Sequence, residues 1–333
     1  MAGSKFLGFL FLCTLFHLSS SGGIENLSNV PFNDGFNKLY GELNVIPSED
    51  NKSVQISMDE KTSSGFHSKA MYMHGYFGAS VKLPENYTAG VFVTFYTSNN
   101  QEYLYRHDVI DFEFLGHIDG QEWVVQTNFY GNGSTNRGRE ERYALWFDPA
   151  KDFHHYGILW TENGIRYYVD DVPIREIRVV VRSRERFSIL RNSLEEVKRV
   201  DRMDDDFPAK LMALYGTIWN GSNWATYGGK YKLDLEYAPY IAKYSNFMLN
   251  GCPFEPTQNS TQCDDYPRFY DISLDQRMKM QGFRRMYMTY SYCCDKNRYT
   301  FPLPECVFDS KEFELLLKFD PWTFGAASHE ARK

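Results

Sequence analysis

The chain has 333 residues, of which 43% are hydrophobic, and its formal net charge is -7. This length suffices for one large domain with an appendage or for two ordinary domains, and the hydrophobic content argues against a disordered chain. The negative charge argues against a nucleic-acid partner, because phosphate backbones are bound by clustered Lys and Arg. Aromatic residues make up 17% of the chain. Those that do not pack in a core are available to stack on the flat apolar faces of sugars.

The first 22 residues are typical of a secretory signal. Lys5 supplies the positive charge, residues 6–18 form the apolar run, and small residues follow at 19–23 around the expected cleavage site. No later segment reaches the ~20 apolar residues that a membrane-spanning helix needs. We therefore expect an exported protein without a membrane anchor.

Residues 23–250 contain many short strand-like runs separated by Gly, Asn, Pro and Asp. The turn Glu162-Asn163-Gly164 predicts a hairpin, because Asn-Gly tolerates the positive φ angles of a tight turn. Regularly spaced short strands with such turns predict an all-β sandwich or jelly roll. The predicted strands are 54–58, 76–83, 91–96, 109–115, 123–129, 157–160, 165–169, 211–219 and 240–249.

The strand at 109–115 has an unusual polar face. From Val109 onward it alternates between apolar residues and the two carboxyls of Asp111 and Glu113, which is the period of a half-buried strand. Adjacent carboxyls repel each other, and a carbohydrate cleft uses such pairs by holding one protonated while its neighbour stays ionised. The alternative is a strand whose polar face is exposed to solvent and has no catalytic role.

Two segments depart from the strand pattern. Residues 179–197 form an Arg-rich insertion, which we interpret as helical or disordered. Residues 251–310 form a C-terminal extension, followed by an uninformative tail at 311–333. Within the extension, Ser273 is expected to cap a helix over 274–287, with Gln276 at the capping-box position.

Five of the six cysteines lie in the last quarter of the chain, since Cys13 belongs to the signal. In an exported chain this clustering favours disulfides over a metal site. Neighbouring cysteines rarely bond each other, so we expect the pairs Cys252–Cys263 and Cys293–Cys306, leaving Cys294. No metal and no cofactor are predicted, because the adjacent His154 and His155 point to opposite strand faces. The glycosylation sequons are Asn26, Asn51, Asn86, Asn132, Asn220 and Asn259, from which we select Asn132.

Several ordered motifs identify a family. Over roughly residues 32–306 the chain resembles the plant xyloglucan endotransglucosylase/hydrolases, which are β-jelly-roll glycoside hydrolases. The motifs are His107-Asp108-x-Ile110-Asp111-Phe112-Glu113-Phe114-Leu115-Gly116, Gln126-Thr127-Asn128, Gly138-Arg139-Glu140, Leu145-Trp146-Phe147-Asp148-Pro149, Val169-Asp170-Asp171-Val172-Pro173-Ile174-Arg175, Asn223-Trp224-Ala225-Thr226 before Gly228-Gly229, Tyr290-Ser291-Tyr292-Cys293 and Pro304-Glu305-Cys306.

The resemblance implies a fold, an activity and a location. The fold is a curved jelly roll whose concave face binds the β-1,4-glucan backbone of xyloglucan, with a short disulfide-linked extension that contains a helix. The reaction is retaining: a glycosyl-enzyme forms from a xyloglucan donor and passes to a xyloglucan oligo- or polysaccharide acceptor, or to water. Such a protein acts in cell-wall construction and remodelling, in the apoplast.

The resemblance also assigns roles on the strand at 109–115. Glu113 matches the acid/base and Asp111 the helper, and the family has a nucleophilic Glu where Val109 stands. Positions 109 and 113 share a face about 13 Å apart along the strand. Two Glu side chains leaning inward could bring their carboxyls to the ~5–5.5 Å separation of retaining glycosidases.

Val109 cannot attack an anomeric carbon, so it puts turnover by this chain in doubt. Three explanations remain open. The chain is a non-catalytic relative that still binds glucan, or the codon is a sequence error, since Glu and Val codons can differ by one base, or another carboxylate substitutes. Asp108 points to the opposite face, and Asp111 is short and close to Glu113.

Further positions match the family's substrate contacts. Gln126 and Asn128 lie on one face of the next predicted strand, and Trp224 could stack on a sugar ring. For Arg139 with Glu140 the alternative is a surface ion pair, and for Arg284 it is a solvated side chain. The expected substrate-binding residues are Gln126, Thr127, Asn128, Gly138, Arg139, Glu140, Asn223, Trp224, Gly228 and Arg284.

Overall fold

Two eight-stranded sheets pack face to face in the computed structural model of the protein. The structure describes residues 27–179, 197–199, 203–254, 271–301, 303, 305–306, 310, 313–314 and 316. In spatial order the front sheet contains β1 (Phe36–Tyr40), β4 (Ser64–Ser68), β14 (Ala213–Asn220), β6 (Val91–Ser98), β7 (Val109–Leu115), β8 (Val124–Tyr130), β9 (Glu141–Tyr143) and β16 (Met288–Ser291).

The back sheet covers the inner face of the front sheet. In spatial order it contains β13 (Val197–Arg199), β12 (Val172–Val179), β11 (Gly164–Val169), β10 (His154–Thr161), β5 (Tyr72–Lys82), β15 (Tyr240–Pro253), β3 (Ser53–Met58) and β2 (Val45–Pro47). Neighbouring strands are antiparallel apart from β12 and β13, which run parallel. A short helix, α1 (Phe32–Gly35), precedes β1. The predicted jelly-roll sandwich is confirmed.

Every predicted strand overlaps an observed one. The predicted hairpin is also confirmed, since Thr161 of β10 pairs with Gly164 of β11 across a two-residue loop. Within the described residues, seven observed strands were not predicted: β1, β2, β4, β9, β12, β13 and β16. Apart from β12 they contain three to five residues, too few to show a clear period of two.

Strand β7 lies in the middle of the front sheet, between β6 and β8. Its apolar face, which includes Phe112 and Phe114, is fully buried. The Phe112 ring meets Tyr156 and Tyr167 of the back sheet edge to face at 5.5 and 5.3 Å, a favoured aromatic geometry. Because this face is committed to the core, the carboxyls of the same strand must point the other way.

The C-terminal extension adds helix α2 (Leu274–Tyr287) and strand β16, which pairs with β9 at the edge of the front sheet. The helix has the predicted bounds and capping box: Ser273 Oγ accepts from the Gln276 N–H, and Gln276 Oε1 accepts from the Ser273 N–H, both at 3.1 Å. These bonds satisfy backbone N–H groups that the first turn leaves unpaired.

The Cys293–Cys306 disulfide is confirmed. Cys252 also takes part in a disulfide, and its expected partner Cys263 lies outside the described residues. Cys294 is the remaining thiol, and it is buried.

Several predictions fall outside the described residues: the secretory signal, the C-terminal tail beyond residue 316 and residues 180–196 of the insertion. At the ends of that insertion, Val179 closes β12 and Val197–Arg199 forms the edge strand β13. Among the described residues, no helix is long and apolar enough to cross a bilayer.

Candidate active site

The outer face of the front sheet forms an open cleft of about 220 Å³. Strand β7 contributes Val109, Asp111 and Glu113 to its floor. They line up on one face because alternate residues of a strand point the same way, and the opposite face of β7 is held in the core. The neighbouring strands contribute Tyr96 from β6 and Trp219 from β14.

Glu113 is held by a chain of hydrogen bonds that crosses two strands. Gln126 of β8 donates through Nε2 to Glu113 Oε2. Gln126 is itself oriented by Arg142 of β9, whose Nε donates to Gln126 Oε1 at 2.7 Å. Burial raises the pKa of Glu113 to about 7, and the nearby negative charge of Glu140 adds to the shift. A carboxyl in this range carries a proton at the acidic pH where a general acid needs one and can also release it.

The raised pKa of Glu113 predicts a pH dependence of stability. In the folded chain this pKa is about 7, above the usual value of 4.5. The folded state therefore binds more protons than the unfolded state between these values, and the free energy of unfolding falls as pH rises through this window. Glu113→Gln should remove this part of the dependence, as measured by urea unfolding from pH 4 to pH 8.

The control for that measurement is Glu162→Gln in the exposed turn between β10 and β11. This substitution should leave the pH dependence of unfolding unchanged. If Glu113→Gln has the same pH profile as the original chain, the carboxyl titrates at its ordinary pKa and the assignment of a proton donor is wrong.

Asp111 lies beside Glu113 on the same face, with only 6% of its surface exposed. Burial raises its pKa well above the usual range, and the charges of Glu113 and Glu140 raise it further. Two carboxyls this close hold a proton between them more readily than two negative charges. In the described part of the chain no group hydrogen-bonds Asp111 Oδ1, although this oxygen is buried. Asp111 thus has a raised pKa and one buried oxygen that accepts no hydrogen bond from the described residues.

Val109 completes the row on β7 and is 7% exposed. Its cross-strand neighbours are Ser98 of β6 and Tyr130 of β8, which also line the cleft. An isopropyl group therefore lies next to Asp111, at the position where the resemblance predicts a nucleophilic Glu.

Asp108 does not replace the nucleophile. It is fully buried and faces away from the cleft, where it accepts hydrogen bonds from the backbone N–H groups of Ala209 and Lys210 at 2.8 and 3.0 Å and from Lys210 Nζ at 2.6 Å. This carboxylate organises the loop before β14, as expected from its place on the opposite face of the strand.

Some predicted substrate residues lie at or near the cleft. Gln126 donates a hydrogen bond to the cleft residue Glu113. Asn128 lies on the same face of β8 as Gln126, but its Oδ1 accepts a hydrogen bond from the Arg139 N–H at 2.7 Å. Glu140 is paired with Arg298 of the extension at 2.6 Å.

Trp224 packs edge-on against Phe92, a cleft residue, at 4.8 Å. Asn223 and Gly228 are exposed in the loop after β14, and a φ of +65° explains the glycine at 228.

The prediction of direct substrate contact is wrong for Thr127 and Arg139. Thr127 is fully buried, and its Oγ1 accepts from Arg175 Nη1 at 2.9 Å, because it alternates to the core face of β8. Arg139 is 1% exposed and pairs with Glu305 of the extension at 2.5 Å. The neighbouring Gly138 is buried and leaves room for the Glu140 carboxylate, which a Cβ would meet at 2.5 Å.

Arg284 is also buried rather than exposed at the acceptor side. From α2 it forms two bonds to Glu141 of β9, at 2.6 and 2.9 Å. Its positive charge and that of Arg175 hold the pKa of Glu141 at about 2 against the effect of burial. The arginines predicted to bind sugar thus attach the C-terminal extension to the sandwich.

Removing Arg284 should destabilise the protein. Arg284→Met leaves the buried Glu141 carboxylate with Arg175 as its remaining ion-pair partner and the Tyr143 hydroxyl as a hydrogen-bond donor. We therefore expect a loss of about 3 kcal/mol in the free energy of unfolding. The control is Lys279→Met, which breaks the exposed pair with Asp275 on the same helix and should change stability by less than about 0.5 kcal/mol. Equal effects in urea unfolding would show that the buried pair contributes nothing.

Sequence reasoning missed several cleft residues. His107 lines the cleft, and its Nε2 lies 2.9 Å from the Tyr130 hydroxyl. Tyr96 and Trp219 were not singled out either. Tyr96 lies on β6, next to β7, and Trp219 lies on β14, the next strand after β6. Each continues a period-two row on a predicted strand, so the strand register was the signal that could have found them.

Two further predictions concern sites outside the cleft. Asn132 is half-buried, with Nδ2 3.2 Å from Asp205 Oδ2 and Oδ1 2.9 Å from Arg106 Nε. A glycan on Nδ2 would have to displace the Asp205 contact, and glycosylation there stays a prediction. No group of three metal-ligating side chains is found among the described residues. His154 is engaged with Asp170, 2.6 Å from Nδ1.

Comparisons with known proteins identify the family of this chain. Residues 32–188 and 182–237 match the family described as glycosyl hydrolases family 16, and residues 257–306 match the xyloglucan endo-transglycosylase C-terminus. The chain is 46% identical to probable xyloglucan endotransglucosylase/hydrolase protein 28 of Arabidopsis thaliana, over 99% of this chain and 94% of that protein. It is 47% identical to probable protein 27 of the same plant and family, over 97% of this chain and 92% of that protein.

A solved structure, the Bacillus licheniformis β-glucanase, is 22% identical and has a TM-score of 0.48, covering 66% of this chain and 94% of that one. On the family matches and on the relatives that span nearly its whole length, the chain belongs to the plant xyloglucan endotransglucosylase/hydrolases, a group of glycoside hydrolases and transglycosylases.

Proposed function

We propose that this chain binds the β-1,4-glucan backbone of xyloglucan in the plant cell wall and that Glu113 is the acid/base of its transfer or hydrolysis. The observation that carries the proposal is the carboxyl pair on β7. Glu113 has a pKa of about 7 and is oriented by Gln126, and Asp111, whose pKa is also raised, lies beside it on the floor of an open cleft. An acid of this kind can protonate the oxygen of the leaving sugar.

Val109 restricts this chemistry. A retaining reaction needs a carboxylate opposite the leaving group to form the glycosyl-enzyme, and a valine side chain has no lone pair to supply. Transfer requires that intermediate to survive until an acceptor sugar arrives. In the chain as written, Glu113 can assist departure of the leaving group, but nothing at position 109 captures the glycosyl group. The expected turnover is therefore orders of magnitude below that of a site with both carboxyls.

A second candidate function, favoured by Val109, is binding of xyloglucan without turnover. Binding depends on the shape and the aromatic and polar lining of the cleft, which does not require a nucleophile. Tyr96 and Trp219 contribute aromatic side chains to that lining, and Trp224 packs against the cleft residue Phe92.

Two measurements on the unsubstituted chain separate these functions. Isothermal calorimetry with a xyloglucan oligosaccharide measures binding, and a labelled-acceptor assay measures transfer, with an α-linked glucan as the control ligand. Binding together with measurable transfer supports the first candidate, and binding without turnover supports the second. If xyloglucan binds no more tightly than the α-linked glucan, both are wrong.

A further inference from the structure

The chain between β6 and β7 carries aromatic side chains beside the cleft. Asn100 and His107 line the cleft, and between them lies what we call the rim segment, residues 101–106. Within it Tyr103 is 46% exposed and Tyr105 is 85% exposed, and the leucine between them is also exposed. The rim segment therefore presents three consecutive exposed apolar side chains beside the Val109 end of the cleft.

The ends of this connection are fixed by hydrogen bonds. Asn99 is fully buried, accepts the Asp108 N–H at 2.8 Å and donates to the Leu211 carbonyl at 3.0 Å. At the other end, Arg106 Nε donates to Asn132 Oδ1 at 2.9 Å. Because these bonds hold both ends, the tyrosines are presented on an ordered turn, and a ligand would not have to order the backbone on binding.

Core packing does not account for the two tyrosines. Among the described residues, Tyr105 has the most exposed aromatic side chain, followed by Phe301 at 83%. A ring this exposed gains little from burial in the free protein, so truncating it should leave stability nearly unchanged. Adjacent exposed apolar side chains mark binding surfaces more often than isolated ones do. Lys210 Nζ lies 5.9 Å from the centre of the Tyr103 ring and helps to orient it.

The position of the rim segment beside the cleft indicates which ligand would bind to it. It continues the lining of a cleft for a neutral polysaccharide, and the flat apolar face of a sugar packs well on an aromatic ring. We propose that Tyr103 and Tyr105 form an additional sugar-binding platform, which holds a glycosyl unit of xyloglucan beyond the units that the cleft itself encloses. This inference rests on the proposed function, because it requires that xyloglucan occupies the cleft.

A length comparison tests the platform. Calorimetry is carried out with a short xyloglucan oligosaccharide and with one whose backbone is three times as long. The double substitution Tyr103→Ala with Tyr105→Ala should raise the Kd of the long ligand by about 5- to 10-fold, as expected for loss of aromatic packing. The Kd of the short ligand should stay within twofold. Tyr105→Phe, which keeps the ring, should retain the affinity for the long ligand.

The control is Phe301→Ala, which removes an equally exposed ring from the C-terminal extension and should change neither Kd. The platform is overturned if the double variant binds both ligands as the original chain does, if it weakens both equally, or if Phe301→Ala has the same effect. If the unsubstituted chain binds neither ligand, the proposed function fails as well, and calorimetry on that chain alone identifies this case.

Discussion

Replacing Val109 by Glu is expected to raise xyloglucan transfer by roughly 10⁴- to 10⁶-fold, judging from the loss of rate when a covalent nucleophile is removed from a serine protease. The substitution supplies the carboxylate that attacks the anomeric carbon while Glu113 protonates the departing sugar. The measurement is transfer to a labelled xyloglucan acceptor, compared with the chain as written. Trapping and mass spectrometry of the glycosyl-enzyme would locate the bond at position 109.

The structure explains why the site can accept this change. The Val109 side chain is 7% exposed and lines the cleft, so a longer side chain at this position points toward the cleft. Burial and the adjacent carboxyls raise the pKa of the neighbouring Asp111. In its protonated form Asp111 can donate a hydrogen bond to the introduced carboxylate. Its Oδ1 is buried with no hydrogen-bond partner in the described part of the chain, which fits a side chain whose usual neighbour is missing.

Val109→Gln is the matched control, because it has the size and polarity of Glu without a nucleophilic carboxylate. It should leave transfer at the level of the original chain. If Val109→Glu also stays at that level while the variant remains folded, the cleft is not the reaction centre, and the binding function becomes the better account. Sequencing the genomic codon for position 109 would show whether the valine is natural.

Much of this site follows from local sequence, and the rest depends on contacts between distant segments. The alternation of β7 places Asp111 and Glu113 on one face, and the Ser273–Gln276 capping box predicts α2. Both patterns arise between residues a few positions apart. Thr127 was assigned to the cleft although the same period-two rule assigns it to the core, so that error could have been avoided.

Arg139 and Arg284 are different. Their partners Glu305 and Glu141 lie 166 and 143 positions away in the chain, and no local pattern shows that an arginine will be buried against such a partner. From sequence alone an arginine at a family motif is equally consistent with a substrate contact, a solvated side chain and a buried ion pair. Only the packing of the C-terminal extension on the sandwich decides among them.

Glu113→Gln, introduced into the Val109→Glu protein, should lower transfer by about 10²- to 10⁴-fold, the usual contribution of a general acid or base. The amide keeps the shape of Glu113 but cannot give a proton to the leaving oxygen. In the Val109→Glu protein the rate should fall as pH rises above about 7, which is the pKa of Glu113 in the original chain. The introduced carboxylate shifts that decline to higher pH, because like charge disfavours ionisation of the acid.

The identity of the leaving group separates a proton donor from a structural role. An aryl glycoside donor releases a phenolate that needs little protonation, so the first step should be nearly as fast with Glu113→Gln as with the acid present. A xyloglucan donor should show the full loss, together with loss of the decline near pH 7. If Glu113→Gln slows both donors equally, Glu113 supports the cleft without transferring a proton. The acid/base role would then have to pass to Asp111, the other carboxyl that the original chain has on the cleft face of β7.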